Sequence, residues 1–342
     1  MSEHMQEEND EKDDLFEHYR IMVDSGQQPL RIDKFLSNRL PSTSRNRIQK
    51  AIENGNILVN KKTVKTNYKV KAGDEISVVL PTPPRELELI PENIPLDIVY
   101  EDDQLIVINK KPGMVVHPGH GNYTGTLVNA LIYHFNQLPG DHVRPGLVHR
   151  IDKNTSGLMV VAKTEESMTH LAGQFFNRTI ERRYWAIIWG TPDKEEGRIE
   201  GHIGRSLKDR KVMDVFPDGS YGKPAITHYK LLKSWDYVSL VECKLETGRT
   251  HQIRVHMRHI GHPLFNDPEY GGDKILRGIK TSKYIQFVQN CFKILPRQAL
   301  HAKTLGFIHP TGNHFLQFDS DVPQDMKRLM EKWDVYLIGR RT

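Results

Sequence analysis

The segment Gly146-Leu147-Val148-His149-Arg150-Ile151-Asp152-Lys153-Asn154-Thr155-Ser156-Gly157-Leu158 sets a histidine, an arginine and a carboxylate side by side, between a Pro-Gly turn and three small residues. A core strand alternates apolar and polar residues and a core helix repeats them every 3.6 positions. Here charge follows charge, bounded by turn formers, so the stretch reads as a site-bearing loop that runs into a strand at Leu158. Asp152 is the first candidate for chemistry. The competing reading is an Asp that caps a helix or closes a loop, and the rest of the chain decides between them.

The chain has 342 residues, more than one ordinary domain holds, with 37% hydrophobic and 27% charged residues. Apolar runs such as Leu158–Ala162 and Ala186–Trp189 fall far short of the roughly 20 residues of a membrane span. The start Met-Ser-Glu-His lacks the basic and apolar regions of a signal peptide. Cys243 and Cys291 are the only cysteines, which leaves no disulfide framework and no paired-cysteine zinc motif. A reducing, cytoplasmic setting is expected, for a monomer with no membrane attachment.

Charge is unevenly spread. Residues 1–17 hold eight Asp/Glu against Lys12, whereas residues 29–80 hold eleven Lys/Arg against four Asp/Glu. The acidic start reads as a disordered tail, assigned to residues 1–28. The basic segment reads as a surface for a polyanion. Within it, Ile32, Phe35, Leu36 and Leu40 form one helical face ended by Pro41, and Ser42 or Ser44 caps a second helix with Ile48, Ala51 and Ile52 inward. Ile57–Val64 reads as a hairpin and Glu75–Leu80 as a strand. Pro81-Thr82-Pro83-Pro84 stiffens the exit, which places one domain at 29–90 and a second at 91–342.

In the second domain strands are expected at Ile98–Tyr100, Leu105–Ile108, Leu158–Lys163, Arg183–Trp189, Thr227–Ser234, Ser239–Leu245 and Phe315–Phe318. Helices are expected at Thr126–Tyr133, at Asp325–Trp333 and at Glu165–Arg178 with Leu171, Phe175 and Phe176 inward. Without a regular strand–helix alternation, the fold class is α+β with a mixed, mainly antiparallel sheet. The loop His117-Pro118-Gly119-His120-Gly121 matches neither Walker nor dinucleotide spacing, so no cofactor is expected.

A second unusual stretch, Leu245 to His259, holds Arg249, Arg254 and Arg258 with His251, His256 and His259. A metal site is disfavoured, because the spacing matches no zinc motif and the arginines would repel a cation. A surface helix with Ile253 and Met257 turned to the core explains the apolar positions and leaves the cations free.

Two resemblances join these pieces. Arg31-Ile32-Asp33-Lys34-Phe35-Leu36, Ser44-Arg45, Ile48 and Gly55-Asn56-Ile57-Leu58-Val59-Asn60 resemble the S4 RNA-binding domain, which implies RNA contact through Arg31, Arg45, Arg47, Lys50 and Lys61. A solvated basic face is the bland alternative. His149-Arg150-Ile151-Asp152 with Thr155–Leu158, Arg183–Ala186, Thr247–His256, Leu300-His301-Ala302 and His309-Pro310 resemble the RluA/RluD-type pseudouridine synthases. Ile151 departs from the leucine usual there, a volume-conserving change.

The resemblance implies an enzyme, an isomerase that turns uridine in RNA into pseudouridine, with large-subunit (23S) ribosomal RNA or a pre-ribosomal particle as partner and no metal or cofactor. It makes Asp152 the catalytic carboxylate, pairs Arg249 with it, puts Tyr184 against the target base and Arg150 in the gap left by a flipped nucleotide. Attack at C1′, addition to C6 and proton abstraction at C2′ all stay open, and all need Asp152 deprotonated. His149 orients the loop rather than acting as a base. Arg254, Arg258, Lys110 and Lys111 are expected along the RNA path. A synthase acting on transfer RNA and a noncatalytic ribosome-assembly protein are the alternatives.

Overall fold

The computed structural model describes residues 16–40, 43–80, 89–118, 122–135, 138–139, 145–207, 209 and 212–341. The chain divides into two compact units, Met1–Glu88 and Leu89–Thr342.

The first unit runs β1 (Phe16–Met22), β2 (Leu30–Arg31), α1 (Ile32–Ser37), α2 (Arg45–Glu53), β3 (Ile57–Val59), β4 (Lys62–Thr63), β5 (Lys69–Val70) and β6 (Glu75–Leu80). Strands β1, β6, β3 and β4 form one sheet in that order, and β2 pairs with β5. The apolar faces read from the sequence do meet: Ile32, Phe35 and Leu36 pack with Ile48, Ile52, Ile57 and Ile76 in one core. Ser44 caps α2 by accepting the Arg47 backbone N–H at 3.4 Å. The hairpin turns on Asn60 and Lys61, at φ 50° and 64°, the positive pair that a two-residue turn with the right strand twist requires.

The assignment of residues 1–28 to a tail is corrected in part. Strand β1 lies inside that segment and pairs antiparallel with β6 from Phe16↔Leu80 to Met22↔Glu75. Its backbone groups on one edge pair with β6, which a reading of side-chain charge alone does not see. Residues 1–15 lie outside the described residues, as do residues 81–88 of the expected connector.

The second unit continues with β7 (Ile98–Glu101), β8 (Leu105–Lys110), α3 (Leu127–Phe135), β9 (Ser156–Ala162), α4 (Glu165–Asn177), β10 (Glu181–Trp189), β11 (Glu196–Arg205) and β12 (Met213–Phe216). It ends with β13 (Lys223–Ser234), β14 (Val238–Leu245), α5 (Gln252–His259), α6 (Ser282–Ile294), β15 (Leu300–Ile308), β16 (Phe315–Asp319) and α7 (Gln324–Arg341). Among the described residues ten strands make one sheet, ordered β12-β11-β13-β14-β10-β15-β9-β8-β7, with β16 beside β15. The pairings are antiparallel except β15 with β9, so the α+β, mainly antiparallel expectation holds.

Period-2 alternation explains how the sheet is covered. Tyr184, Ala186 and Ile188 of β10, with Val241 and Cys243 of β14, pack against Leu127 and Leu131 of α3 and Ile253 and Met257 of α5. The intervening Ile187 and Trp189 pack with Val288 of α6 and Met326, Leu329 and Trp333 of α7. Leu171 of α4 joins Leu158, Val160 and Phe307. Each such fully buried side chain contributes roughly 1.5–3 kcal/mol. Phe175 packs as expected, but Phe176 is 87% exposed, against its expected inward position. Helix α4 is capped by Thr164 and Ser167 in a reciprocal box, and its apolar stripe is spent on Leu171 and Phe175.

Candidate active site

The Asp152 loop is held residue by residue. The Thr155 backbone N–H donates to the Asp152 carbonyl at 3.1 Å. Lys110, 2% exposed, donates from Nζ to the carbonyls of Lys111, Met114 and Lys153 at 2.9, 2.9 and 3.0 Å. Three acceptors match the three donors of an ammonium, while burial and the nearby Arg297 pull the Lys110 pKa down to about 7 against the opposing pull of Asp152. Arg297 reaches the Asn154 carbonyl at 3.1 Å while Asp325 grips its other edge. Ser156 Oγ meets His301 Nδ1 at 3.0 Å, and Ser320 holds the other ring nitrogen at 2.9 Å. Gly157, at φ 117°, lies against the Ala302 backbone, where any Cβ would overlap the Ala302 carbonyl. The small residues after Asp152 are therefore what lets β9 join β15.

The carboxylate itself faces α5. Arg254 Nη1 lies 3.2 Å from Asp152 Oδ2, and the same guanidinium takes Asp267 in a two-pronged bond at 2.7 and 2.8 Å. Glu269 and the Tyr270 ring, 5.0 Å from Cζ, complete its surroundings. Despite the desolvation of its buried site, these carboxylates raise the Arg254 pKa, so the cation is permanent. His251 Nε2 stands 3.9 Å from Asp152 Oδ1, while its Nδ1 meets the Tyr270 hydroxyl at 2.9 Å. Burial lowers its pKa.

This corrects the pairing expected for Arg249. Its Nε donates to the Pro224 carbonyl at 3.0 Å, and its backbone N–H donates to Gln252 Oε1. Arg249 precedes α5, whereas Arg254 lies in the first turn of a helix whose residues from Gln252 to Met257 are all buried. Arg254 and Lys110 are accordingly not exposed residues of an RNA path, and α5 is a core helix rather than a surface one. Lys111 and Arg258 remain exposed.

Asp152 opens into a cavity of about 360 Å³ lined by Arg150, Phe175, Phe176, Arg182, Tyr184, Arg249, His251 and Arg254 among others. The size fits a small-molecule site. Tyr184 is 7% exposed, and burial raises its pKa, so it offers a neutral ring and hydroxyl. Arg150 is exposed at the cavity. His149 stacks on Phe175 at 4.7 Å and accepts the Val160 backbone N–H through Nε2 at 3.1 Å. Burial drives it down to about 3, and the accepting nitrogen is already used, which fits loop orientation and not base catalysis. Among the described residues no group of three or more His, Cys, Asp or Glu side chains is placed to hold a metal ion.

In the first unit the five basic residues divide. Arg31 and Arg45 converge on the buried Asp33, each within 3.1 Å of Oδ2, and Gln49 donates to the same oxygen at 2.7 Å. Burial pulls the Asp33 pKa up, but these donors hold it below its ordinary value. Arg47, Lys50 and Lys61 are exposed on α2 and the hairpin turn.

Residues 104–259 match the family described as RNA pseudouridylate synthase, and residues 30–76 match the S4 domain. A Chlorobaculum parvum protein named "Uncharacterized RNA pseudouridine synthase" is 48% identical over 315 residues, covering 91% of this chain and 96% of the relative. The chain belongs to the RNA pseudouridine synthase family. A relative from Zymomonas mobilis named "Ribosomal large subunit pseudouridine synthase D" is 44% identical, over 88% of this chain and 93% of its own length. The solved structure "Human RNA Pseudouridylate Synthase Domain Containing 4" superposes with a TM-score of 0.52 at 25% identity, covering 69% of this chain and 92% of the human one.

For this pseudouridine synthase, sequence reading passed over Asp267, Glu269, Tyr270, Arg297 and Asp325. The run Asn266-Asp267-Pro268-Glu269-Tyr270-Gly271-Gly272 did carry a signal: two carboxylates in a Pro/Gly turn just after a helix rich in arginine and histidine. Arg297 and Asp325 carried none, since they are ordinary charged residues until the fold buries one beside the other.

Proposed function

We propose that this pseudouridine synthase isomerises uridines of large-subunit ribosomal RNA, with Asp152 as the catalytic carboxylate. The observation that carries the reading is the Asp152 carboxylate fixed 3.2 Å from Arg254 in a cavity that Tyr184 also lines. In the reaction the N1–C1′ bond breaks, the uracil turns, a C5–C1′ bond forms, the C5 proton leaves and N1 gains one. Nothing is oxidised or transferred, so a held carboxylate and a site that grips a base while letting it rotate suffice. Arg254, itself pinned by Asp267, fixes the direction of the carboxylate. Tyr184 offers a flat apolar face with a polar tip to the uracil. Arg150, exposed at the rim, takes the place of the extruded nucleotide.

The ribosomal assignment is supported by the Zymomonas mobilis relative and by the S4 domain, whose exposed Arg47, Lys50 and Lys61 suit phosphate contact. Tritium release from 5-tritiated uridine transcripts tests it. Release from large-subunit ribosomal RNA and none from transfer RNA is expected; the reverse pattern contradicts the assignment, and no release from either contradicts the activity.

A further inference from the structure

Arg182 stands two residues before Tyr184 on β10, so both side chains project from the same side of the strand. It lines the Asp152 cavity with 8% of its surface exposed. Its Nε has no hydrogen-bond partner among the described residues. Among the described residues its charge lies over the face of Phe175, 5.2 Å from Cζ to the ring centroid. His149, on that same ring, carries no compensating charge, and Asp152 is taken by Arg254. Gly248 closes over the guanidinium so tightly that a Cβ there would stand 2.9 Å from Nη1.

An arginine cannot relieve this by losing its proton. A guanidinium whose Nε is buried without a partner is costly, and packing alone would be served better by an apolar side chain of the same length. The remaining account is a counter-charge that arrives with the substrate. We infer that Arg182 binds a phosphodiester of the RNA adjoining the uridine that enters the cavity, an inference that rests on the pseudouridine synthase reading above. Any extruded nucleotide brings a phosphate on each side, and two non-bridging oxygens match the planar fork of a guanidinium. A base carbonyl offers one partial charge and would leave the cation uncompensated.

Full-length protein carrying Arg182→Met, Arg182→Lys or Gly248→Ala tests this through binding to a large-subunit ribosomal RNA transcript across a salt series, with thermal stability and tritium release measured alongside. For Arg182→Met we expect at least tenfold weaker binding and a salt slope shallower by about 0.7, the value for one single-strand phosphate. Its melting temperature should be equal to or above that of the parent, and its apparent KM should rise more than kcat falls. The lysine variant should recover the slope and part of the affinity, and Gly248→Ala should weaken binding by crowding the guanidinium. Unchanged RNA affinity overturns the inference, as does weaker binding with an unchanged salt slope, which would mark a neutral contact. Because binding is read separately from tritium release, a wild-type protein that fails to release tritium contradicts the activity without deciding the role of Arg182.

Discussion

Arg254 Nη1 sits 3.2 Å from Asp152 Oδ2, and it does so because Asp267 holds the opposite edge of the same guanidinium. The candidate catalytic carboxylate is thus aimed through Asp267, which is fully buried. Asp267→Asn weakens that grip and leaves Arg254 buried with less counter-charge. Breaking a buried pair in this way costs about 3–5 kcal/mol, and turnover should fall on the order of 10²-fold as Asp152 loses its direction. Thermal melting and tritium release together check it; a variant with normal stability and normal turnover contradicts the arrangement.

Arg249 and Arg254 make a sharper contrast. Arg249 lines the cavity but is tied to the Pro224 carbonyl, so Arg249→Lys should leave kcat within roughly tenfold. Arg254→Lys should lose on the order of 10²-fold, because an ammonium cannot serve Asp152 and Asp267 with one rigid fork. Steady-state kinetics of both variants decide the matter, and a larger kcat loss at Arg249 would return the pairing role to it.

That contrast also shows how far sequence reading reaches. The apolar periodicity of Ile32–Leu36 and Ile48–Ile52 revealed α1 and α2, and the short apolar and aromatic run from Tyr184 to Trp189 revealed β10, because these patterns are set by local geometry and burial. The identity of the arginine beside Asp152 was not legible. It depends on where α5 begins and on Asp267, which reaches Arg254 only through the fold. Strand β1 was hidden for a related reason: its place is fixed by backbone pairing with β6, while its charged neighbours imitate a tail. The parallel junction of β9 and β15 was equally invisible, although Gly157 announced that something had to come close.

In the first unit, Arg47, Lys50 and Lys61 are exposed whereas Arg31 and Arg45 also neutralise Asp33. Replacing Arg47, Lys50 and Lys61 together by Gln should weaken RNA binding and flatten its salt slope by roughly 0.7 for each phosphate that is no longer neutralised, with no change in melting temperature. Arg45→Gln should lower the melting temperature as well. Equal salt slopes for the parent and the triple variant would remove these residues from the RNA surface.

Three histidines set a pH dependence, His301 and His256 buried and His149 half-buried. Burial lowers His301 and His256 to about 4 and His149 to about 3, all below the unfolded value near 6.5. Between those limits the unfolded chain binds more protons than the native one, so stability falls as pH falls from about 6.5 toward 4. Each histidine contributes up to roughly 1.4 kcal/mol per pH unit within its window. Melting temperatures from pH 7 to 5 should show the decline above the range where ordinary carboxylates titrate, and His301→Gln, which can still bond Ser156 and Ser320, should make it shallower. An identical slope in that variant would contradict the assignment.

The catalytic role of Asp152 is decided by tritium release from 5-tritiated large-subunit ribosomal RNA, comparing wild-type protein with Asp152→Asn, a change that removes the charge and keeps the shape. Release by the wild type and none by Asp152→Asn, with RNA binding retained, is the expected result. Release by Asp152→Asn at the wild-type rate would refute that role.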